Sequence, residues 1–76
     1  MNATKYQIFL KTVECGSFTK AAADLNFSQS GISHAISSLE EELGVTLLSR
    51  NRGGVTLTGD GRALLPQIQQ LCTEYH

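Results

Sequence analysis

The sequence has no apolar run near the ~20 residues that a membrane-spanning helix needs, and no secretory hydrophobic stretch follows Met1. Its two cysteines, Cys15 and Cys72, are far apart, and neither has a second Cys or a His at metal-ligand spacing. These absences predict a cytoplasmic protein with no membrane partner, no metal and no cofactor. Both cysteines are expected to be buried as small apolar side chains.

The chain also lacks the excess of positive charge that most nucleic-acid-binding domains carry. Six Lys and Arg residues stand against seven Asp and Glu residues, for a net charge of −1. Arg50 and Arg52 lie together, whereas three acids are consecutive at residues 40–42, where they oppose the dipole of a predicted helix end and are expected to face solvent or another chain or domain. So few cations can neutralise few phosphates, and dimerisation would double the contacts.

The composition is that of one small globular domain. Of the 76 residues, 41% are hydrophobic and 17% are charged. There is no internal repeat, no low-complexity segment and no Pro- or Ser-rich linker to mark a second domain. A domain of this size buries only about 60% of the surface of its unfolded chain, so self-association would help to stabilise it.

Residues 28–43 have a strong helical pattern with two different faces. Apolar residues recur at steps of three and four, so that one side of a helix is lined by Ile32, Ala35, Ile36, Leu39 and Leu43. The opposite face begins with short, uncharged polar side chains, namely Gln29, Ser30, Ser33, His34 and Ser37. An ordinary solvated face would carry more Lys and Glu, whereas short hydroxyls and amides suit a helix that lies against a polar surface such as base-pair edges.

Two shorter helices precede this one. The first is predicted over residues 4–15 and the second over residues 19–26, with either Ser17 or Thr19 as the N-cap of the second. A three-residue turn follows, in which Phe27 is expected to fill the core. A short helix, a tight turn and a longer helix form a helix-turn-helix motif.

A small β-hairpin and a last helix complete the predicted elements. Residues 45–50 and 55–57 are typical of strands, and Asn51-Arg52-Gly53-Gly54 between them is typical of a turn. Thr58 is expected to cap a helix from residue 59 onward, which Pro66 would kink rather than end.

The last helix carries an apolar stripe formed by Leu64, Leu65, Ile68, Leu71 and Cys72. So small a domain offers no obvious partner for this stripe, so we interpret it as a homodimer surface. Packing against the chain's own core is the alternative.

Together these elements predict a mainly α, winged helix-turn-helix fold with a three-helix core, a small β-hairpin wing and a C-terminal linker helix. Residues 1–58 would form the DNA-binding domain and residues 59–76 the linker, or dimerisation, helix. In this arrangement the second helix of the motif enters the major groove of DNA.

A long set of residues has the types and spacing of a known family: Phe9-Leu10, Val13, Gly16-Ser17-Phe18-Thr19, Ala21-Ala22, Leu25, Ser28-Gln29, Ile32-Ser33, Ile36, Leu39-Glu40, Leu43-Gly44, Leu47, Arg50, Leu57-Thr58 and Gly61. In these residues the sequence resembles the N-terminal domain of LysR-type transcriptional regulators, over residues 4–72. A lone helix-turn-helix pattern would be far less specific.

This resemblance implies a bacterial transcription factor that binds double-stranded DNA. Its homodimer, often paired into a tetramer, would grip an interrupted inverted repeat in a promoter with one recognition helix per half-site. The last helix would be the one along which two chains pair. Because family members continue into an effector-binding domain, we expect the chain to be the DNA-binding part of a longer regulator, with a natural truncation as the alternative.

Three positions depart from the family pattern. Ser30-Gly31 stands where members usually have Pro-Ala, which loosens the first helical turn but supplies a hydroxyl for a phosphate or a base. Leu48 stands where Phe is favoured and reduces the packing area. His34 replaces a longer polar or basic side chain.

Five residues are candidates for contact with bases. Gln29 is the strongest, because its amide can pair with adenine N6 and N7 and the family uses the matching position similarly, although helix capping is an alternative. Ser30 and Ser33 could contact a base or a phosphate, and His34 could donate to guanine or simply lie on the surface. Ser37 lies further along the same face.

Further residues are candidates for contact with the DNA backbone. Ser28 and Thr19 lie at helix starts, where hydroxyls and exposed amides suit phosphate oxygens, although capping alone explains both equally well. Lys20 is also a candidate phosphate ligand. Arg50 and Arg52 in the wing are expected to meet the backbone or the minor groove, with a solvated loop as the alternative.

Two other functions were compared with DNA binding. Residues 31–35 superficially resemble a nucleophile elbow, but no buried strand precedes them and no paired carboxylates accompany them, so we expect no catalysis. The serious alternative is a protein-interaction module that dimerises with a full-length regulator without itself binding DNA tightly. The low net charge is its best support.

Overall fold

The computed structural model describes the backbone of residues 5–51 and 54–74 and the side chains of residues 5–51 and 54–71. Within them the elements follow in the order α1 (Lys5–Cys15), α2 (Phe18–Leu25), α3 (Gln29–Leu43), β1 (Leu48–Asn51), β2 (Gly54–Leu57) and α4 (Gly59–Glu74). The predicted order of three helices, a hairpin and a last helix is confirmed.

Local capping sets the ends of the helix-turn-helix. Ser17, and not Thr19, is the N-cap of α2, where its side chain accepts a hydrogen bond from the Lys20 amide. Asn26 ends α2 in the left-handed conformation, with φ at 60°. Ser28 caps α3 by accepting from the Gly31 amide at 3.0 Å, and Gly44 ends it. The Thr19 hydroxyl is therefore not used as a cap.

The core lies where α1 and α3 cross beneath the wing. Phe9, Ile32, Leu39 and Leu47 are fully buried there. The expectation that Phe27 fills the core is wrong, because the residue is 40% exposed; its amide donates to the Ala22 carbonyl at the end of α2.

Cys15 differs from the sequence-based expectation as well. It is half-buried rather than buried, and its thiol donates to the Asp24 carboxylate with an Sγ···Oδ2 distance of 3.6 Å. The side chain of Cys72 lies outside the described residues. None of the helices in the described part of the chain is both long and apolar enough to cross a membrane.

The hairpin is antiparallel, with Leu48 opposite Leu57 and Arg50 opposite Val55. The first strand was predicted to start at residue 45 but starts at Leu48. The reason is that the amides of Leu47 and Leu48 donate to one carboxylate oxygen of Glu40, at 2.7 and 3.2 Å, instead of joining a ladder from residue 45.

The hairpin is tied to the turn between α1 and α2. The Val55 amide donates to the Gly16 carbonyl at 3.1 Å. A Cβ added at Gly54 would lie 2.3 Å from that same carbonyl oxygen, and the φ of Gly54 is +125°. Glycine at position 54 thus permits the close approach that fixes the wing against the helices.

The last helix begins as predicted, since the Thr58 hydroxyl accepts from the Gly61 amide at 3.0 Å. Pro66 lies inside α4 without ending it. Ile68 is only 3% exposed and belongs to the chain's own core, so its assignment to a dimer surface is corrected to intramolecular packing. Leu64 and Leu65 are partly buried against that core, whereas Leu71 is 39% exposed.

Candidate nucleic-acid interface

The polar face of α3 lies on the surface, as the spacing predicted. Gln29, Ser30, His34 and Ser37 are exposed, and Ser33 is half-buried. The opposite face is buried by Ile32, Ile36 and Leu39. Because the apolar side anchors the helix, the N-terminal half of α3 presents amide, hydroxyl and imidazole groups in fixed register.

The first turns of α2 and α3 meet at this surface. The Gln29 Nε2 donates a hydrogen bond to the Thr19 hydroxyl oxygen at 2.9 Å. Lys20, the next residue of α2, has an exposed side chain. The structure therefore brings two predicted site residues, Thr19 and Gln29, into direct contact. The sequence did not predict this contact, because the two residues belong to different helices.

Arg50 lies on β1 and reaches α3. Its guanidinium stacks over the Phe18 ring, 4.2 Å from the ring centroid, and its Nη2 donates to the Ser33 hydroxyl. The solvated-loop alternative for Arg50 is therefore wrong, because the residue is in a strand and has two partners. A cation held over an aromatic face keeps its charge at a defined place.

Phe18 was missed as a residue of this surface. The alternation of side chains along β1 could have predicted part of this contact. Arg50 lies on the same face of the strand as Leu48, which is buried against the helices. The same alternation directs the Arg50 side chain toward the helices, where an aromatic residue could receive it. The identity of that residue depends on how the wing lies on α2.

The acidic residues 40–42 lie at the other end of α3. Glu40 accepts the amides of Leu47 and Leu48, and Glu42 forms an ion pair with Lys5. The expectation that these acids face solvent or another chain is thus wrong for Glu40, whose carboxylate is bound within this chain, whereas Glu41 and Glu42 are exposed as expected. The acids therefore lie away from the polar face at the N-terminal half of α3.

The remaining candidates are less well placed. Ser28 uses its hydroxyl as an N-cap acceptor, so its capping role is confirmed. Arg52 lies outside the described residues. Across residues 5–51 and 54–71, no group of three or more His, Cys, Asp or Glu side chains is arranged to hold a metal ion.

A helix-turn-helix on a three-helix core, flanked by an antiparallel hairpin and followed by a long helix, is a winged-helix DNA-binding fold. The chain belongs to a particular family with this fold. Residues 4–62 match the family model of the bacterial regulatory helix-turn-helix proteins of the lysR family.

Individual proteins agree with this assignment. The chain is 48% identical over 71 residues to the probable transcriptional regulator LrrA of Synechococcus elongatus, covering 93% of this chain and 24% of that protein. It is 44% identical over 72 residues to the uncharacterized transcriptional regulator YvbU of Bacillus subtilis, covering 93% of this chain and 25% of that protein. The chain thus spans about a quarter of the length of these relatives.

A solved structure shares the fold closely. The DNA-binding domain of CbnR, determined as a complex with DNA, superposes with a TM-score of 0.88 at 32% sequence identity. The match covers 93% of this chain and 82% of that one.

Proposed function

We propose that this chain binds double-stranded DNA in a sequence-specific manner, as the DNA-binding part of a cytoplasmic bacterial transcription regulator. The observation that carries the proposal is the exposed N-terminal half of α3, which presents uncharged hydrogen-bonding side chains and has the Arg50 guanidinium beside it. Such a helix can lie close to base edges, because its short side chains leave little space between the helix and the groove.

The proposal divides the surface into two kinds of contact. Gln29 would pair with a base, and Ser30, His34 and Ser37 would make further contacts along the same face of α3. Lys20 and Arg50 would contact phosphates, which sets the register of the helix without specifying sequence. The related DNA-binding domain of CbnR, solved with DNA, supports DNA binding by this fold, because the two folds superpose over nearly the whole chain.

Binding should depend steeply on salt. Three cations per copy, Lys20, Arg50 and Arg52, are candidates for phosphate contacts, so raising salt from ~50 to ~200 mM should weaken a single copy roughly 40-fold and a dimer roughly 1,800-fold. Fluorescence anisotropy with a labelled promoter duplex measures this. Lys20→Gln is the matched variant and should make the salt slope shallower. Absence of binding at micromolar protein at both salt concentrations would instead support the protein-interaction alternative.

We further propose that α4 is a linker helix through which two copies pair, which would place two α3 helices on an interrupted inverted repeat. The support is Leu71, which is 39% exposed on the same helix whose Ile68 packs into the core. Leu64 and Leu65, earlier in the same helix, are partly buried against the core. A full-length regulator could pair such dimers into tetramers.

Leu71→Glu should shift the chain toward monomer, because dimerisation would then bury a carboxylate without a partner. Analytical ultracentrifugation should show a dimer dissociation constant raised at least about tenfold. Gln70→Glu adds the same charge at the neighbouring exposed position and should leave the dissociation constant within about twofold. If Leu71→Glu dimerises as the unchanged chain does, the interface lies elsewhere.

A further inference from the structure

The contact between Thr19 and Gln29 joins two helices at the edge of the proposed DNA surface. Gln29 is the first residue of α3, Thr19 lies in the first turn of α2, and the Nε2···Oγ1 distance is 2.9 Å. Both side chains are exposed. Ser17 already caps α2, so the Thr19 hydroxyl is available to receive the amide.

This hydrogen bond restricts the most flexible of the candidate base-contacting side chains. A glutamine that is free in solution samples many rotamers and loses that freedom when it binds a base. An amide already held by Thr19 has lost much of that freedom before DNA arrives. Preorganisation of this kind favours the one base whose hydrogen-bonding groups match the held geometry.

The hydrogen bond to Thr19 also leaves the Gln29 amide with the donor and the acceptor that it needs to recognise a base. Gln29 Nε2 carries two hydrogens, and donation of one to Thr19 leaves one donor and the carbonyl oxygen. One donor and one acceptor side by side match adenine N7 and N6 in the major groove. A guanine at the same position presents two acceptors there and would leave the amide oxygen without a donor.

We propose that Thr19 is a positioning residue for base discrimination by Gln29, rather than a phosphate ligand. This inference rests on the proposed DNA-binding function. The two roles differ in a measurable way, because loss of a phosphate contact weakens binding to all sequences alike, whereas loss of a positioning contact lowers the preference at one base pair.

Thr19→Val tests the inference, because valine keeps the shape of threonine and removes the hydroxyl. The probe is a duplex selected by the unchanged chain from a randomised pool, together with its variants at the base pair where Gln29→Ala lowers the preference most. Anisotropy should show that Thr19→Val lowers the preference at that base pair about three- to tenfold. Thr19→Ser keeps the hydroxyl and should retain the preference within about twofold.

A double variant separates positioning from a direct contact. In a Gln29→Ala background, Thr19→Val should change the preference no further, because the side chain that it positions is gone. Thr19→Ala also lacks the hydroxyl, and alanine is a better helix former than valine. It should therefore show the same loss of preference, even if valine disturbs α2. Circular dichroism checks that each variant folds.

Three results would overturn the inference: an unchanged preference in Thr19→Val, equal weakening on every duplex, or an additional loss of preference in the double variant. If the unchanged chain prefers no duplex from the pool, the proposed function itself fails and Thr19 has no positioning role. A preference at other base pairs that survives Thr19→Val leaves the proposed function intact, so the two failures are distinguishable.

Discussion

Replacing Gly61 by alanine is expected to destabilise the fold by about 2–3 kcal/mol. Gly61 lies buried in the first turn of α4, where an added Cβ would be 2.2 Å from the Leu47 carbonyl oxygen and 3.1 Å from Leu57 Cδ2. That carbonyl cannot move easily, because it accepts the Thr58 amide at 3.0 Å. Relief of the clash therefore requires α4 to move away from the base of the wing.

Gly59→Ala is the matched control. Gly59 lies in the same helical turn, is exposed, and has no atom within 4 Å of an added Cβ. Alanine there should be neutral or stabilise the fold by up to about 1 kcal/mol, since it lowers the entropy of the unfolded chain and favours the helix.

Urea unfolding followed by circular dichroism measures both variants. For a domain of this size the Gly61→Ala cost corresponds to a melting temperature lower by roughly 10–20 °C. Equal stability of the two variants would show that α4 does not press on the Leu47 carbonyl as the structure has it.

Gln29→Ala is expected to reduce discrimination at one base pair by about 1–3 kcal/mol, or roughly 5- to 150-fold, with little effect on binding to unrelated DNA. The exposed position of Gln29 at the start of α3 and the amide held by Thr19 make it the side chain best placed for a base. Alanine keeps the helix but removes both the donor and the acceptor. Binding to a panel of duplexes that vary one base pair at a time measures the effect.

Lys20→Ala provides the contrast. Lys20 is an exposed cation one residue from Thr19, and its loss should weaken all duplexes by a similar factor and leave their ranking unchanged. If Gln29→Ala also leaves the ranking unchanged, the assignment of the base-contacting face of α3 is wrong.

The local features of this fold could be predicted from the sequence because their causes lie within a few residues. Ser28 caps α3, Thr58 caps α4 and Gly44 ends α3 through bonds that span three or four positions. The step of three and four between apolar residues likewise placed the polar face of α3 correctly on the surface.

The sequence-based predictions were wrong where a side chain has its partners far away along the chain. Glu40 was expected to face outward because it opposes the dipole of α3, but its carboxylate accepts two amides seven and eight residues away. Because of that contact, β1 starts at Leu48 and not at residue 45 as predicted. Ile68 fitted a partner-facing stripe by spacing alone, and only the crossing of α4 with α1 shows that its own core covers it.

The order of the winged helix-turn-helix elements and the polar face of α3 follow from the sequence alone, because helical period, caps and turn residues are local properties. The contacts between side chains on that face are visible only in the folded chain, where Arg50 meets Phe18 and Ser33, and Gln29 meets Thr19. These pairs join separate elements, and their contacts depend on interhelical and wing positions that no local pattern encodes. The same holds for Gly61 and Gly59, which look alike in sequence and differ only in what lies beside them.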